Sequence, residues 1–70
     1  MLTQLKPGEI AKIIEVEGGH GLRHRLSLRG ITEGSIIRVI SNIGPVTVEV
    51  DRNTVSIGRG MAHKIRVLRV

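Results

Sequence analysis

Two histidines and three arginines are concentrated in residues 18–34, GGHGLRHRLSLRGITEG, and these side chains could bind a metal ion or an anion. His20 and His24 are four residues apart, a spacing that on a helix could present both imidazoles to one metal ion. His20, however, lies at or before the predicted start of the helix, and His63 would have to supply a third ligand from elsewhere in the fold or from a second subunit. Exposed histidines beside arginines usually only titrate. A divalent Fe²⁺ or Zn²⁺ site at His20, His24 and His63 is therefore a candidate and not a requirement.

No stretch of the sequence forms a recognisable catalytic motif, so we expect neither an enzyme nor a required cofactor. Cysteine is absent, which excludes disulfides and thiolate ligands. The segments GGHG and GRG match neither a phosphate-binding loop nor the dinucleotide-binding glycine pattern. No serine or aspartate stands in a nucleophile motif with a histidine.

The composition restricts the kinds of partner that the chain can have. Its 70 residues carry a formal net charge of +5, which favours an acidic protein surface, nucleic acid or anionic lipid, although a basic surface can also be only a solvated face. Phe, Tyr and Trp are all absent, so we do not expect nucleic acid to be recognised by base stacking. We see no signal peptide and no apolar run of the about 20 residues that a membrane span requires. We therefore expect one cytosolic domain, residues 1–70, without direct membrane insertion.

Five short segments rich in Ile and Val predict strands, and together they favour a mostly β fold: a small SH3-like, partly open barrel. Ile13 and Ile14 interrupt the alternation of the first segment, as expected of a bent strand with both faces partly covered. Asp51-Arg52-Asn53 has the residues for a tight hairpin, and Asn53 tolerates a left-handed backbone. The predicted strands are 9–17, 35–41, 46–50, 54–57 and 64–69.

One segment, LRHRLSLRG, predicts a helix after the first strand. Leu22 and Leu26 are one turn apart, and Gly30 is placed to end the helix. A shorter helical turn is predicted at residues 59–63, before the last strand. With Leu22 and Leu26 facing the barrel, the basic residues between them face solvent.

Four stretches of the chain, in order and with fitting spacing, resemble the ferrous iron transport protein A (FeoA) family. They are KPGEIAKIIEVEGG, RLSLRGITEGSIIRV, GPVTVEV and SIGRGMAHKIRV. Two positions depart from the family pattern. Arg29 replaces an apolar residue, which implies a more exposed helix end, and Glu33 replaces a proline, which implies a looser turn.

The resemblance implies an SH3-like barrel in the cytoplasm of a bacterium or archaeon, associated with ferrous iron uptake through a FeoB-type permease. We expect an interaction module that docks onto the cytoplasmic part of that permease, and a homodimer is a further option. The implied partner-binding residues are Arg23, His24, Arg25, Arg29 and Arg59. The implied structural positions are Gly18, Gly19, Gly30, Gly34, Gly44, Pro45, Gly58 and Gly60.

Two alternatives remain open from the sequence. SH3-like domains of similar size and charge bind RNA or DNA through phosphates, and binding of that kind should weaken steeply as salt rises. Related domains also occur in iron-dependent repressors, so the chain could be a metal-responsive regulatory domain.

Overall fold

The computed structural model describes residues 1–70, which form five strands and two helices. The elements are β1 Ile10–Val16, α1 His20–Ser27, β2 Ile36–Asn42, β3 Val46–Val50, β4 Asn53–Ile57, α2 Arg59–Ala62 and β5 Ile65–Arg69. The strands form one antiparallel sheet in the order β4-β3-β2-β1-β5. Because β4 and β5 are the two edges and do not pair, the barrel is not closed, and the predicted open SH3-like architecture is confirmed.

The core consists entirely of apolar side chains. All 16 buried residues are hydrophobic, and no polar or charged side chain is buried among them. In β3 the alternation is complete, with Val46, Val48 and Val50 facing inward. Burial of apolar surface therefore stabilises the fold, with no polar cluster inside it.

The break in the alternation of β1 is a bulge. The pairing of β1 with β5 shifts register between Ile13 and Glu15, so Ile14 and Glu15 both face solvent. The bulge supplies the bend expected from the break in alternation, and Ile14, at 45% exposure, is only partly covered. The extra residue of a bulge bends the strand and redirects its side chains, which leaves Ile14 on the solvent side.

The loop of the β3–β4 hairpin consists of Asp51 and Arg52, so it ends one residue earlier than the predicted segment Asp51-Arg52-Asn53. Both residues have positive φ, 49° and 67°, and Asn53 already pairs with Val50 as the first residue of β4. A two-residue hairpin loop of type I′ requires positive φ at both central positions. The left-handed residues are therefore Asp51 and Arg52 and not Asn53, because the strand register places Asp51 and Arg52 in the loop.

A 3₁₀ turn at Leu2–Gln4 covers one end of the core and was not predicted. Leu2 is 0% and Leu5 is 2% exposed, which places both among the best-buried residues of the molecule. Their spacing of three residues fits a 3₁₀ turn, in which such side chains lie on one side. That spacing was the signal available in the sequence.

Candidate functional site

Helix α1 contacts the sheet through a narrow apolar stripe. Leu26 is buried and Leu22 is half-buried against the core, whereas the other six residues of the helix are exposed. Residues four apart lie on the same face of a helix, so these two leucines form a single line of contact. The remaining side chains of α1 are exposed to solvent.

The end of α1 is fixed by a glycine cap. The Gly30 N–H donates to the Ser27 carbonyl (3.0 Å) and the Ile31 N–H donates to the Leu26 carbonyl (3.0 Å), the pattern of a Schellman motif. Gly30 has φ +86°, and a Cβ there would lie 3.5 Å from a methyl group of Val50. Ile31 and Leu26 are both buried, so the cap also anchors the helix to the core.

His20 and His24 both lie within α1 and line one shallow depression of about 490 Å³. The helix begins at His20, which agrees with the expectation that this residue lies at or before the helix start, and the two imidazoles share a face. No group of three His, Cys, Asp or Glu side chains is placed to hold a metal ion. His63 lies at the end of α2, with Nδ1 3.4 Å from the Thr3 hydroxyl, and does not line the depression.

Arg23 also borders this depression, where it forms an ion pair with Glu33. Nη2 of Arg23 donates to Oε1 of Glu33 at 3.1 Å, and both side chains are about half exposed (49% and 51%). An exposed pair of this kind contributes about 0–1 kcal/mol to stability. The ion pair nevertheless partly neutralises the charge of Arg23.

Glu33 lies in a closed turn between α1 and β2. The Ser35 N–H donates to the Thr32 carbonyl at 3.0 Å, and Gly34 has φ +91°, as the third residue of a type II turn requires. Ser35 Oγ also donates to the Gly30 carbonyl at 2.9 Å. The looser turn expected from the absence of proline is not observed, because these hydrogen bonds close it.

Arg25 and Arg29 are the arginines of this region that have no acidic partner. Both are exposed, and neither forms a salt bridge or a side-chain hydrogen bond. The exposure of Arg29 agrees with its position at the helix end. These two guanidinium groups place uncompensated positive charge on α1 and on the segment that follows it.

Arg59, by contrast, is bound within the fold. Its Nη1 donates to Oδ1 of Asn42 (2.8 Å) and to the carbonyl of Gly44 (3.0 Å). Asn42 in turn donates from Nδ2 to the carbonyls of Thr3 (2.9 Å) and Leu5 (2.7 Å). This network joins the N-terminal segment, the β2–β3 turn and α2. No sequence pattern reveals partners so distant along the chain.

The eight predicted structural positions fall into two groups. Four adopt a positive φ, which favours glycine: Gly18, Gly30, Gly34 and Gly44. The other four lie at helix caps, in α2 or in a turn: Gly19, Gly58, Gly60 and Pro45.

The environment of the Glu9 carboxylate shifts its pKa. The backbone N–H of Lys6 donates to Oε1 (2.6 Å), and Arg69 Nε donates to Oε2 (2.7 Å). These contacts, the Lys6 N–H first, lower the pKa of Glu9 below its ordinary value of 4.5. Arg38–Glu49 and Arg66–Glu15 form two further exposed ion pairs on the sheet.

Comparison with known proteins identifies the family of this chain. The sequence model of the FeoA domain family matches residues 1–69. The chain belongs to the FeoA family. A candidate Fe(2+) transport protein A of Methanocaldococcus jannaschii is 40% identical over 67 residues, which are 94% of this chain and 82% of that protein.

Solved structures agree with this FeoA assignment. The crystal structure of an iron uptake regulatory protein (FeoA) superposes with a TM-score of 0.91 at 30% identity, covering 99% of this chain and 93% of that one. The structure of T. acidophilum IdeR superposes with a TM-score of 0.92 at 28% identity, over 99% of this chain but 33% of that chain. The predicted resemblance and SH3-like fold are thus confirmed. No helix of the structure has the length and apolar character needed to cross a membrane.

Proposed function

We propose that this FeoA-family protein is a cytoplasmic accessory protein of ferrous iron transport, which docks through α1 onto the cytoplasmic part of a FeoB-type permease. Family membership supports the iron-transport context. The observation that carries the docking proposal is the free charge of Arg25 and Arg29. Both are exposed without an acidic partner, Arg25 on α1 and Arg29 two residues after its end, whereas four other arginines of the chain form ion pairs.

The chemistry of arginine explains how such a surface would act. A free guanidinium can donate two parallel hydrogen bonds to a carboxylate of the partner, which adds geometric specificity to charge attraction. Arginines at the rim of an interface mainly increase the association rate, and a fully desolvated arginine can be a binding hot spot. We therefore expect the partner surface to be acidic where it meets α1.

Arg23 and His24 have a secondary role in this proposal. Arg23 is paired with Glu33 through Nη2, which partly neutralises its charge, so we expect it to contribute less to docking than Arg25 and Arg29. His24 lines the depression beside it, so a partner that covers the depression would contact this imidazole. Arg59 is not needed for docking, because its guanidinium holds the β2–β3 turn.

The role proposed for the chain is binding without catalysis. Any change in the activity of the partner would then come from the partner conformation that docking stabilises. Binding should be reversible and one-to-one, and it should require no metal, because the core and α1 are held by apolar contacts and hydrogen bonds of the chain itself.

Calorimetric titration of the chain into the purified cytoplasmic domain of the permease tests the proposal, with duplex DNA and single-stranded RNA as comparison ligands. We expect saturable binding to the permease domain at physiological salt. Binding to duplex DNA through phosphates should instead weaken with a log–log salt slope of about −0.9 per phosphate contacted. Tight nucleic-acid binding at physiological salt, with no binding to the permease domain, would overturn the proposal.

A further inference from the structure

We propose that the free edge of β4 is a second binding surface, which accepts an extended peptide segment of a partner protein as a sixth strand of the sheet. Such strand addition uses the main-chain hydrogen bonds of an exposed sheet edge for affinity and alternate side-chain contacts for specificity. This inference goes beyond docking through α1, because its hydrogen bonds come from the backbone of a different element.

The hairpin register determines which backbone groups of β4 are free. Val50 and Asn53 flank the two-residue loop, where the turn places a hydrogen bond between them. Pairs along an antiparallel ladder alternate between bonded and non-bonded, so Val55 is bonded to β3 whereas Thr54 and Ser56 are not. The N–H and C=O groups of Thr54 and Ser56 therefore point away from the sheet. Residues 53–57 make no backbone hydrogen bond outside the β3–β4 ladder.

The two edges of the sheet differ in how they are protected. β5 carries Arg66 and Arg69, both in ion pairs, and Arg69 also donates to the carbonyl of Gln4 in the N-terminal turn (3.4 Å). Charged side chains and covering segments are the usual devices that stop a sheet edge from pairing with another chain. The sequence of β4, NTVSI, contains no charge and no proline. An unprotected edge of this kind is suited to pairing with a partner.

A groove of about 630 Å³ runs beside this edge and supplies side-chain contacts. It lies between β4 and the end of α1, where Leu28 is 74% exposed. Arg29 and Asp51 also line the groove, and neither forms a salt bridge. The segment that fits is a strand-forming peptide with an apolar side chain over Leu28 and an acidic side chain for Arg29.

A second copy of the chain fits this edge less well than an acidic, strand-forming segment does. Each copy has a net charge of +5, so self-association through β4 would bring two positively charged molecules together. A partner segment that carries the opposite charge meets no such repulsion. The occupant inferred here is therefore a segment of a different protein. Pairing of β4 with β4 of a second copy would contradict this inference.

The test uses a random heptapeptide library displayed on phage, selected against the immobilised full chain. Selected peptides are then synthesised and titrated by calorimetry against wild type, Thr54→Pro and Ser56→Pro. Proline removes an outward-facing N–H and is tolerated on an edge strand. We expect peptides with alternating apolar residues and an acidic residue, bound about tenfold more weakly by each proline variant because each loses one hydrogen bond.

Alanine provides the matched control, because Thr54→Ala and Ser56→Ala keep the backbone N–H and should bind the peptides nearly as well as wild type. If a proline variant does not fold, N-methylation of the peptide residue that faces β4 removes the corresponding donor with the chain unchanged, and about a tenfold loss is again expected. The inference is overturned if no peptide is selected, or if proline substitution and N-methylation leave binding unchanged. It is also overturned if sedimentation shows a dimer that Thr54→Pro dissociates.

Discussion

Arginine is used in opposite ways in two regions of this molecule, although the side chains concerned are exposed in both. At the β2–β3 turn, Arg59 is hydrogen-bonded to Asn42 and Gly44 and helps to hold three segments together. On α1 and just after its end, Arg25 and Arg29 have no partner within the chain. The difference shows that exposure does not separate a structural arginine from one available for binding. The hydrogen-bond partners do.

The largest effect should come from removing the centre of the network at the β2–β3 turn. Asn42→Ala deprives the carbonyls of Thr3 and Leu5 of their donor and Arg59 of an acceptor. We expect a loss of about 2–3 kcal/mol in the free energy of unfolding, because part-buried polar groups are left unpaired. Chemical denaturation measures it, with the exposed Asn53→Ala as control, expected to change stability by less than about 0.5 kcal/mol. Equal effects of the two substitutions would show that the network is not structural.

The two ends of α1 should respond in opposite directions to the same substitution. Gly30→Ala places a side chain at φ +86° and should destabilise the fold by about 1–2 kcal/mol. Gly21→Ala lies inside the helix, where a Cβ meets nothing within 4 Å, and should stabilise it by up to about 1 kcal/mol. Thermal unfolding of both variants measures the difference. A stabilised Gly30→Ala would contradict the assigned cap.

Arginine substitutions test the comparison itself. Arg59→Ala removes a charged donor from two partners and should cost about 1 kcal/mol of stability. Arg25→Ala removes no contact within the chain and should change stability by less than about 0.5 kcal/mol. Denaturation of both variants under the same conditions provides the measurement. Loss of stability in Arg25→Ala alone would reverse the roles assigned to the two regions.

The smallest effect concerns pH. The pKa of Glu9 is lowered by folding, so its contribution to stability is present above its unfolded value of about 4.5 and is lost as pH falls through the lower folded value. Glu9→Gln should therefore flatten part of the acid limb of the stability curve and leave its neutral region nearly parallel to wild type. Denaturation midpoints between pH 7 and pH 3 measure this. An unchanged acid limb would show that Glu9 does not contribute.

The sequence predicted the elements of the fold well, because alternation of Val and Ile and the placement of glycine are local signals. The strand segments agree with the structure to within one residue at each end, and Gly30 ends the helix region as expected. The bulge at Ile14 and the loop at Asp51–Arg52 depend on pairing with other strands. Local residue preferences do not determine that register.

The candidate site was less predictable than the fold. Sequence reasoning grouped Arg23, Arg25 and Arg29 in the helix region and added Arg59 from the segment before the last strand. The structure distinguishes them by partners that are distant along the chain: Glu33 for Arg23 and Asn42 for Arg59. The edge of β4 had no sequence signal of its own, since strand order decides which strand is an edge.

The affinity of the permease's cytoplasmic domain for a matched pair of charge-reversal variants tests the docking account most directly. Arg25→Glu with Arg29→Glu is compared with Lys12→Glu with Lys64→Glu, which changes the net charge equally at exposed positions outside α1. We predict that the first variant stays folded and binds at least about tenfold more weakly, whereas the second loses only about two- to threefold through slower association. Equal loss in both variants, or wild-type affinity in the first, would contradict docking through α1.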